Sequence, residues 1–326
     1  MNVEYYEDII LHDYEPAVDT FRAEVLAGLM PANGPKRISS KFFYDERGSQ
    51  LFREITTLDE YYLTRTEMAI LREWLPEMSR LIGPNALIIE FGTGSGLKTK
   101  LLLEALEHPA AYIPIDISRE QLLDASLELV ERFPDLEVWP VCADYTQEFV
   151  LPVPEHQTKR ATVFFPGSTI GNFTPEEAIP FLQKVSRMIG PSGTMLVGVD
   201  LAKDPSVLNA AYNDERGVTA QFNLNLISHI NREFQTDIAP DGFEHYAFYN
   251  ERESRIEMHL VSRDRQELVL GKDRVWIERG EHITTEYSYK YTPNAFADIM
   301  QQAGFEIVQS WRDTMDYFAV YFCSVK

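Results

Sequence analysis

Three glycines, Gly92, Gly94 and Gly96, alternate with other residues in the string Phe91-Gly92-Thr93-Gly94-Ser95-Gly96. Glycine lets a backbone bend tightly and approach a ligand closely. The string follows a short apolar run, 86–90, and opens onto a helical pattern from Lys98 to Leu106. Asp116 lies 24 residues beyond Gly92, at the end of the next strand-like run. A carboxylate there can accept two hydrogen bonds from a ribose diol. Asp144-Tyr145 ends a third run and is placed to meet an adenine amino group and ring edge. Taken in order on successive strand ends, these features predict a site for an adenosine-bearing cofactor. The spacing lacks the third glycine of the dinucleotide pattern GxGxxG, which argues against NAD. S-adenosylmethionine (SAM) has no pyrophosphate and is a cation, which suits acidic surroundings. Two positions keep an alternative: Asp116 as a cap on the helix near Ser118, and Asp144 as a solvated loop carboxylate.

The loop after the fourth strand reads Pro166-Gly167-Ser168-Thr169-Ile170-Gly171-Asn172. In open α/β sheets such loops face the ligand. Asn172 stands just before a helix start, where an amide and a positive helix end suit a substrate carboxylate. An asparagine supporting its own turn is the equal alternative.

The elements that must position these residues alternate. Strand patterns at 86–90, 111–116, 137–142, 161–165 and 194–199 are separated by helical ones, which predicts βαβ units and a parallel sheet. Capping boxes are read at Thr64/Glu67, Ser118/Gln121 and Thr174/Glu177, the last with Pro175 at the first helical position. The first 65 residues read as mostly helical. Residues 205–234 read as helix, and 244–291 as a mainly antiparallel insertion. Strands at 305–311 and 317–325 predict a closing hairpin. A parallel sheet ending in a reversed strand is the plan of class I methyltransferases.

Composition sets outer limits. The chain has 326 residues, 44% hydrophobic and 25% charged, the profile of a globular protein. Thirty basic against 51 acidic residues give a net charge of -21, which disfavours phosphate backbones and anionic membrane surfaces. No apolar run approaches a bilayer span. The acidic N-terminus lacks a signal peptide's basic segment. Cys142 and Cys323 make neither a disulfide scaffold nor a CxxC pair. Seven histidines without HxxxH spacing predict no metal. The expectation is a cytoplasmic monomer acting on a small molecule, with no nucleic-acid or membrane partner.

From about residue 20 onward the chain resembles the histidine-specific Nα-methyltransferases of ergothioneine biosynthesis, the EgtD family. The likeness rests on Phe43-Tyr44-Asp45-x-x-Gly48-Ser49-x-Leu51-Phe52, Glu60-Tyr61-Tyr62-x-Thr64-Arg65, Gly167-Ser-Thr-Ile-Gly-Asn172, Tyr212, and Gly217-Val-Thr-Ala-x-Phe222-Asn223. It rests equally on Phe243-Glu-His245, Arg255-Ile-Glu-Met258 and Thr285-Glu286-x-Ser288-x-Lys290.

The resemblance implies a class I SAM-dependent fold with a smaller α+β substrate domain. It implies a methyltransferase domain at 66–200 and 290–326, and a substrate domain at 15–65 and 201–289. Asn172 and Tyr212 would hold the α-amino-carboxylate end. Glu286 and Ser288 would recognise the imidazole, with Tyr61 on its other side. Phe52 and Met258 would wall the pocket. Tyr44 and Asn172 would meet the reacting amine. Gly92, Gly94, Lys98, Asp116, Asp144, Tyr145 and Gly167, together with Tyr44, would bind the cofactor. The implied reaction is three successive methylations of L-histidine to hercynine. A carboxylate at Glu286 and a hydroxyl at Ser288 can pair with neutral or charged imidazole. His245 and His259 are read as structural.

Three rivals are weighed beside this. One is a sister enzyme methylating another amino acid or an aromatic amine. Another is a non-catalytic cofactor-binding partner. The third, an NAD-linked oxidoreductase, is disfavoured by the glycine spacing.

Overall fold

The Ala86–Phe91 strand is buried along its whole length and occupies the middle of the main sheet. It is seen in a computed structural model that describes all residues except 7, 8, 15–17 and 95. Ser95 of the glycine string, Glu7-Asp8 of the acidic start, and position 15, where the second domain was read to begin, lie outside the described residues. The chain divides into two compact units. One comprises Met1–Pro16, Leu63–Leu201 and Tyr291–Lys326; the other comprises Ala17–Tyr62 and Ala202–Lys290.

In the first unit, Ala86–Phe91 pairs in parallel with Ala111–Asp116 on one side and Arg160–Phe165 on the other. Thr194–Asp200 continues the parallel run beyond Arg160–Phe165. Phe318–Val325 then enters antiparallel, followed by Phe305–Arg312, which forms the closing hairpin with it. The strands are near-continuous apolar runs, as a parallel sheet covered on both faces requires. The chain leaves Ala86–Phe91 for one neighbour and returns later on the other side. That makes the carboxyl ends of Ala86–Phe91 and Arg160–Phe165 the switch point where such sheets bind ligands.

Two local expectations fail here. The run 137–142 is not one strand but two short pieces, Glu137–Val138 and Val141–Cys142. Pro140 between them has no N–H for the ladder. The first 65 residues are not mostly helical. Asn2–Tyr5 and Ile10–Asp13 form an antiparallel pair, and Ile10–Asp13 extends the sheet by pairing with Val141–Cys142. Four residues carry too little periodicity to separate strand from helix, and the neighbouring strand decides.

The second unit holds the antiparallel insertion. Its four-stranded sheet runs Phe243–Asn250, Arg255–Ser262, His282–Tyr289, Lys36–Arg37, and Gln266–Leu270 pairs with Asp273–Ile277 as a separate ribbon. Helices Val18–Leu29, Glu46–Ile55, Pro205–Ala211 and Val218–Phe234 accompany it. The helix read over 205–234 is therefore broken. The break runs from Tyr212 to Gly217, which sits at φ 68°, and Tyr212 caps the first piece.

Candidate active site

In the first unit the glycine string behaves as its spacing predicts. Gly92, Gly94 and Gly96 have φ of 73°, 53° and 66°, a region that L side chains adopt at a cost. A Cβ on Gly92 or Gly94 would meet nothing within 4 Å, so conformation rather than crowding demands these glycines. Asp116 Oδ2 accepts from Thr93 N at 3.0 Å and from Thr93 Oγ1 at 3.3 Å, while Oδ1 accepts from Ser118 N at 2.9 Å. One carboxylate thus ties the glycine loop to the start of the next helix. Ser118 makes no side-chain cap on helix Arg119–Arg132, so the capping box read at Ser118/Gln121 is absent. Burial raises the Asp116 pKa despite these bonds.

Asp144 folds its own turn, accepting from Thr146 N at 2.9 Å and Thr146 Oγ1 at 2.6 Å. The Tyr145 ring packs 5.5 Å from Phe91 and 5.8 Å from Phe181, against the ends of the central strands. These residues leave the carboxyl ends of the strands lined by glycine backbone, acidic oxygens and an aromatic face. Groups of these kinds could meet a ribose and an adenine.

Two glutamates of this unit carry no local sequence signal for a site yet are buried within it. Glu90, fully buried at the end of the Ala86–Phe91 strand, accepts from Thr99 Oγ1 and Tyr112 Oη, both at 2.6 Å. Burial pushes its carboxyl up to about 7, against the pull of those two bonds. Glu67 was read as the end of a capping box with Thr64. Helix Tyr62–Ile82 instead begins at Tyr62, and Glu67 turns inward, 1% exposed. Its carboxylate is ion-paired with Lys98 and accepts from Gly167 N at 3.0 and 2.9 Å. Two residues read as cofactor contacts are therefore held by a third. A Cβ on Gly198 would lie 2.0 Å from Glu67 Oε1, so that glycine is what admits the carboxylate. A glutamate three residues after a threonine at a helix start is the ordinary capping signal, and nothing local marks this one as buried.

Asn172 closes the 3-10 turn Thr169–Asn172, with the capping box at Thr174/Glu177 formed directly after it. Among the described residues its side-chain amide makes no hydrogen bond, so it is not spent on its own turn.

In the second unit the motif Phe43-Tyr44-Asp45-x-x-Gly48 has a local explanation. Asp45 caps helix Glu46–Ile55, accepting from Gly48 N at 2.7 Å, and also accepts from Asn225 and Arg232, each at 2.8 Å. Burial raises its pKa, but the bonds from Arg232, Gly48 and Asn225 outweigh burial and hold it low. A Cβ on Gly48 would stand 1.7 Å from Phe43 O, so only glycine closes this turn. Tyr44 is set beside it.

From Tyr44 an aromatic chain runs on. Tyr44 lies 5.5 Å from Phe52, Phe52 lies 6.2 Å from Tyr61, and Tyr61 lies 6.3 Å from Tyr212, all edge to face. Phe222 joins the cluster 5.8 Å from Tyr44 and 5.9 Å from Phe52.

The Tyr212 hydroxyl donates to Ser288 Oγ at 2.9 Å. Ser288 and Glu286 share one face of strand His282–Tyr289, and Met258 stands opposite Glu286 on the neighbouring strand. Tyr44, Phe52, Tyr61, Tyr212, Met258, Glu286 and Ser288 are thus linked within one unit. Burial pushes the Glu286 carboxyl up to about 7, with Lys290 pulling it back. Lys290, the last residue of the Thr285–Lys290 motif, is 2% exposed, and its ammonium donates to Tyr212 Oη at 3.0 Å and Ser288 Oγ at 2.9 Å.

Behind this face, Asn223 Nδ2 meets His245 Nδ1 and donates to the His259 carbonyl, both at 2.9 Å, and Asn223 Oδ1 accepts from Thr285 at 2.7 Å. Both N–H bonds of the amide are spent, so His245 Nδ1 is an acceptor and its Nε2 donates to the Tyr212 carbonyl at 3.0 Å. His245 is structural, as read, and it is Tyr212 that it holds. Among the described residues no group of three or more His, Cys, Asp or Glu is arranged to hold a metal ion, and no helix is long and apolar enough to cross a membrane.

Residues 21–325 match the family described as histidine-specific methyltransferase, SAM-dependent. The histidine N-alpha-methyltransferase of Mycolicibacterium smegmatis is 38% identical over 311 residues, covering 94% of this chain and 95% of that protein. The protein of the same name from Mycobacterium tuberculosis is 36% identical over 304 residues, covering 92% and 93%. Ergothioneine biosynthesis protein 1 of Neurospora crassa is 32% identical over 316 residues, which span 91% of this chain and 34% of the fungal protein.

Proposed function

Because the chain belongs to the SAM-dependent, histidine-specific methyltransferase family, we propose that it methylates the α-amine of L-histidine. Three successive transfers give Nα,Nα,Nα-trimethylhistidine, hercynine, the first step of ergothioneine biosynthesis. The observation that carries this reading is the buried pair Glu286 and Ser288 on one strand face, joined through Ser288 to Tyr212. A buried carboxylate and hydroxyl so placed match an imidazole's two nitrogens. They penalise a side chain that leaves either group unpaired.

The roles follow from chemistry. Bound SAM supplies an electrophilic methyl carbon. Gly92, Gly94, Lys98, Asp116, Asp144, Tyr145 and Gly167 would hold the cofactor, with Asp116 suited to accept from ribose hydroxyls. The amine must arrive neutral, since an ammonium has no lone pair. In the second unit Tyr44 orients that nitrogen and Tyr212 takes the amino-carboxylate end; in the first unit Asn172 carries an amide suited to a carboxylate. Much of the rate would come from these residues holding the neutral amine where the cofactor's methyl group can be transferred to it. Phe52, Tyr61 and Met258 exclude water around the ring. Anchoring at the imidazole leaves the amine end free to gain bulk with each transfer. By this reading the first unit is the methyltransferase domain and the second the substrate domain. The enzyme works as a monomer in the cytoplasm, where its two buried free thiols stay reduced.

The test is incubation of the purified protein with SAM and a panel of free amino acids, read by mass. Mono-, di- and trimethylated histidine alone is the expected result. Methylation of another amino acid moves the substrate assignment to a sister enzyme. No product despite cofactor binding sinks the enzymatic reading.

A further inference from the structure

Ser288 Oγ has one proton and two lone pairs. Both lone pairs are engaged, one by the Tyr212 hydroxyl at 2.9 Å and one by the Lys290 ammonium at 2.9 Å. The direction is not reversible, because an ammonium donates three hydrogen bonds and accepts none. The same ammonium donates to Tyr212 Oη at 3.0 Å, which turns the Tyr212 proton toward Ser288. Lys290 also lies 4.9 Å from the centre of the Tyr212 ring, in cation–π contact. All three side chains are buried. What Ser288 has left to offer is its own proton.

We infer that Lys290 sets the hydrogen-bond polarity of the substrate pocket, so that the ring is taken up as neutral imidazole in a single tautomer and not as imidazolium. This rests on the assignment of Glu286 and Ser288 to the imidazole, and it narrows that assignment. Ser288 donates and the Glu286 carboxylate accepts, from the same face of one strand. A neutral ring answers with a bare nitrogen toward Ser288 and an N–H toward Glu286. An imidazolium presents N–H on both sides. One would face a serine with no lone pair to give, leaving a buried donor unpaired. The ring would also bring a second buried positive charge to a site where Lys290 already supplies one. Without Lys290, Ser288 would regain an acceptor, and a carboxylate and an acceptor hydroxyl together would favour the charged ring. Lys290 is thus a positioning residue that acts through Ser288 and Tyr212.

Nitrogen NMR of ¹⁵N-labelled histidine bound to the protein with S-adenosylhomocysteine, at pH 8, where a Glu286 carboxyl raised to about 7 is ionised, reads this directly. The wild-type complex should show one protonated and one bare ring nitrogen, in one tautomer. Lys290→Met keeps the aliphatic stem and removes the donors; its bound ring should move toward two protonated nitrogens. Where Lys290→Met does not fold, Tyr212→Phe removes the other donor into Ser288 and should shift the ring in the same sense. Two protonated nitrogens in the wild-type complex overturn the inference while leaving histidine as substrate. A ring unchanged in the folded variants overturns the role of Lys290. Absence of bound histidine in the wild type sinks the substrate reading and this inference with it.

Discussion

The Glu67 carboxylate accepts the backbone N–H of Gly167 at 2.9 Å, joining residues 100 apart in sequence. The same carboxylate pairs with Lys98, so one buried anion holds the first turn of the glycine-loop helix and the loop after the fourth strand. Removing one member of a buried pair leaves an uncompensated charge, which costs about 3–5 kcal/mol. Glu67→Ala should lower unfolding free energy by that order in urea titrations. Glu67→Gln, which keeps an acceptor for Gly167, should lose less. Equal losses for the two variants would mean that the ion pair, not the Gly167 bond, carries the whole effect.

Gly48 tests the placement of Tyr44. A methyl group there meets the Phe43 carbonyl at 1.7 Å, and backbone must move to admit it. Gly48→Ala should destabilise the protein by about 1–3 kcal/mol, the usual cost of overpacking. A melting temperature equal to wild type would show that the Asp45 turn is not as tight as described.

Glu90 gives stability a pH dependence. Its carboxyl is raised from 4.5 to about 7 by burial. A group that holds its proton more tightly folded than unfolded stabilises the fold while protonated. That contribution is complete below about 4.5 and is lost as the pH rises to about 7. Glu90→Gln keeps acceptors for Thr99 and Tyr112 and has nothing to titrate. Its stability relative to wild type should therefore rise between those pH values. Glu286 titrates in the same direction but is present in both proteins and cancels in the difference. Parallel stability curves would place the Glu90 titration elsewhere.

Asp116 and Glu286 should separate the two ligands. Hydrogen bonds to charged groups are worth about 1.5–3 kcal/mol, or about 10–100-fold in affinity. Calorimetry should show Asp116→Ala weakening SAM binding by that factor, and Glu286→Ala weakening histidine binding while SAM affinity holds. Equal losses of both ligands in Glu286→Ala would contradict its assignment to the imidazole.

The parallel core, the glycine turn and the closing hairpin were legible because their signals are local. Apolar runs, capping residues and glycine spacing act within a few residues of where they are read. The alternation of Glu286 and Ser288 on one strand face was legible for the same reason. Where a local signal was weak or could serve two purposes, the reading failed. The four-residue strands at the N-terminus carry no strand signal of their own, and Thr64/Glu67 has the spacing of a cap without forming one.

Tertiary structure decided what each polar group is paired with. The sequence by itself determined that Glu67, Glu90 and Lys290 exist and which elements carry them. That Glu67 meets Gly167, that Glu90 meets Tyr112, and that Tyr212 joins Lys290 in filling the lone pairs of Ser288 required chain segments far apart to close on one another. Hydrogen-bond direction, and with it the form of the ring a pocket can hold, is a property of the whole network. A residue's type limits which bonds it can make, and only its neighbours in space settle which ones remain to be made.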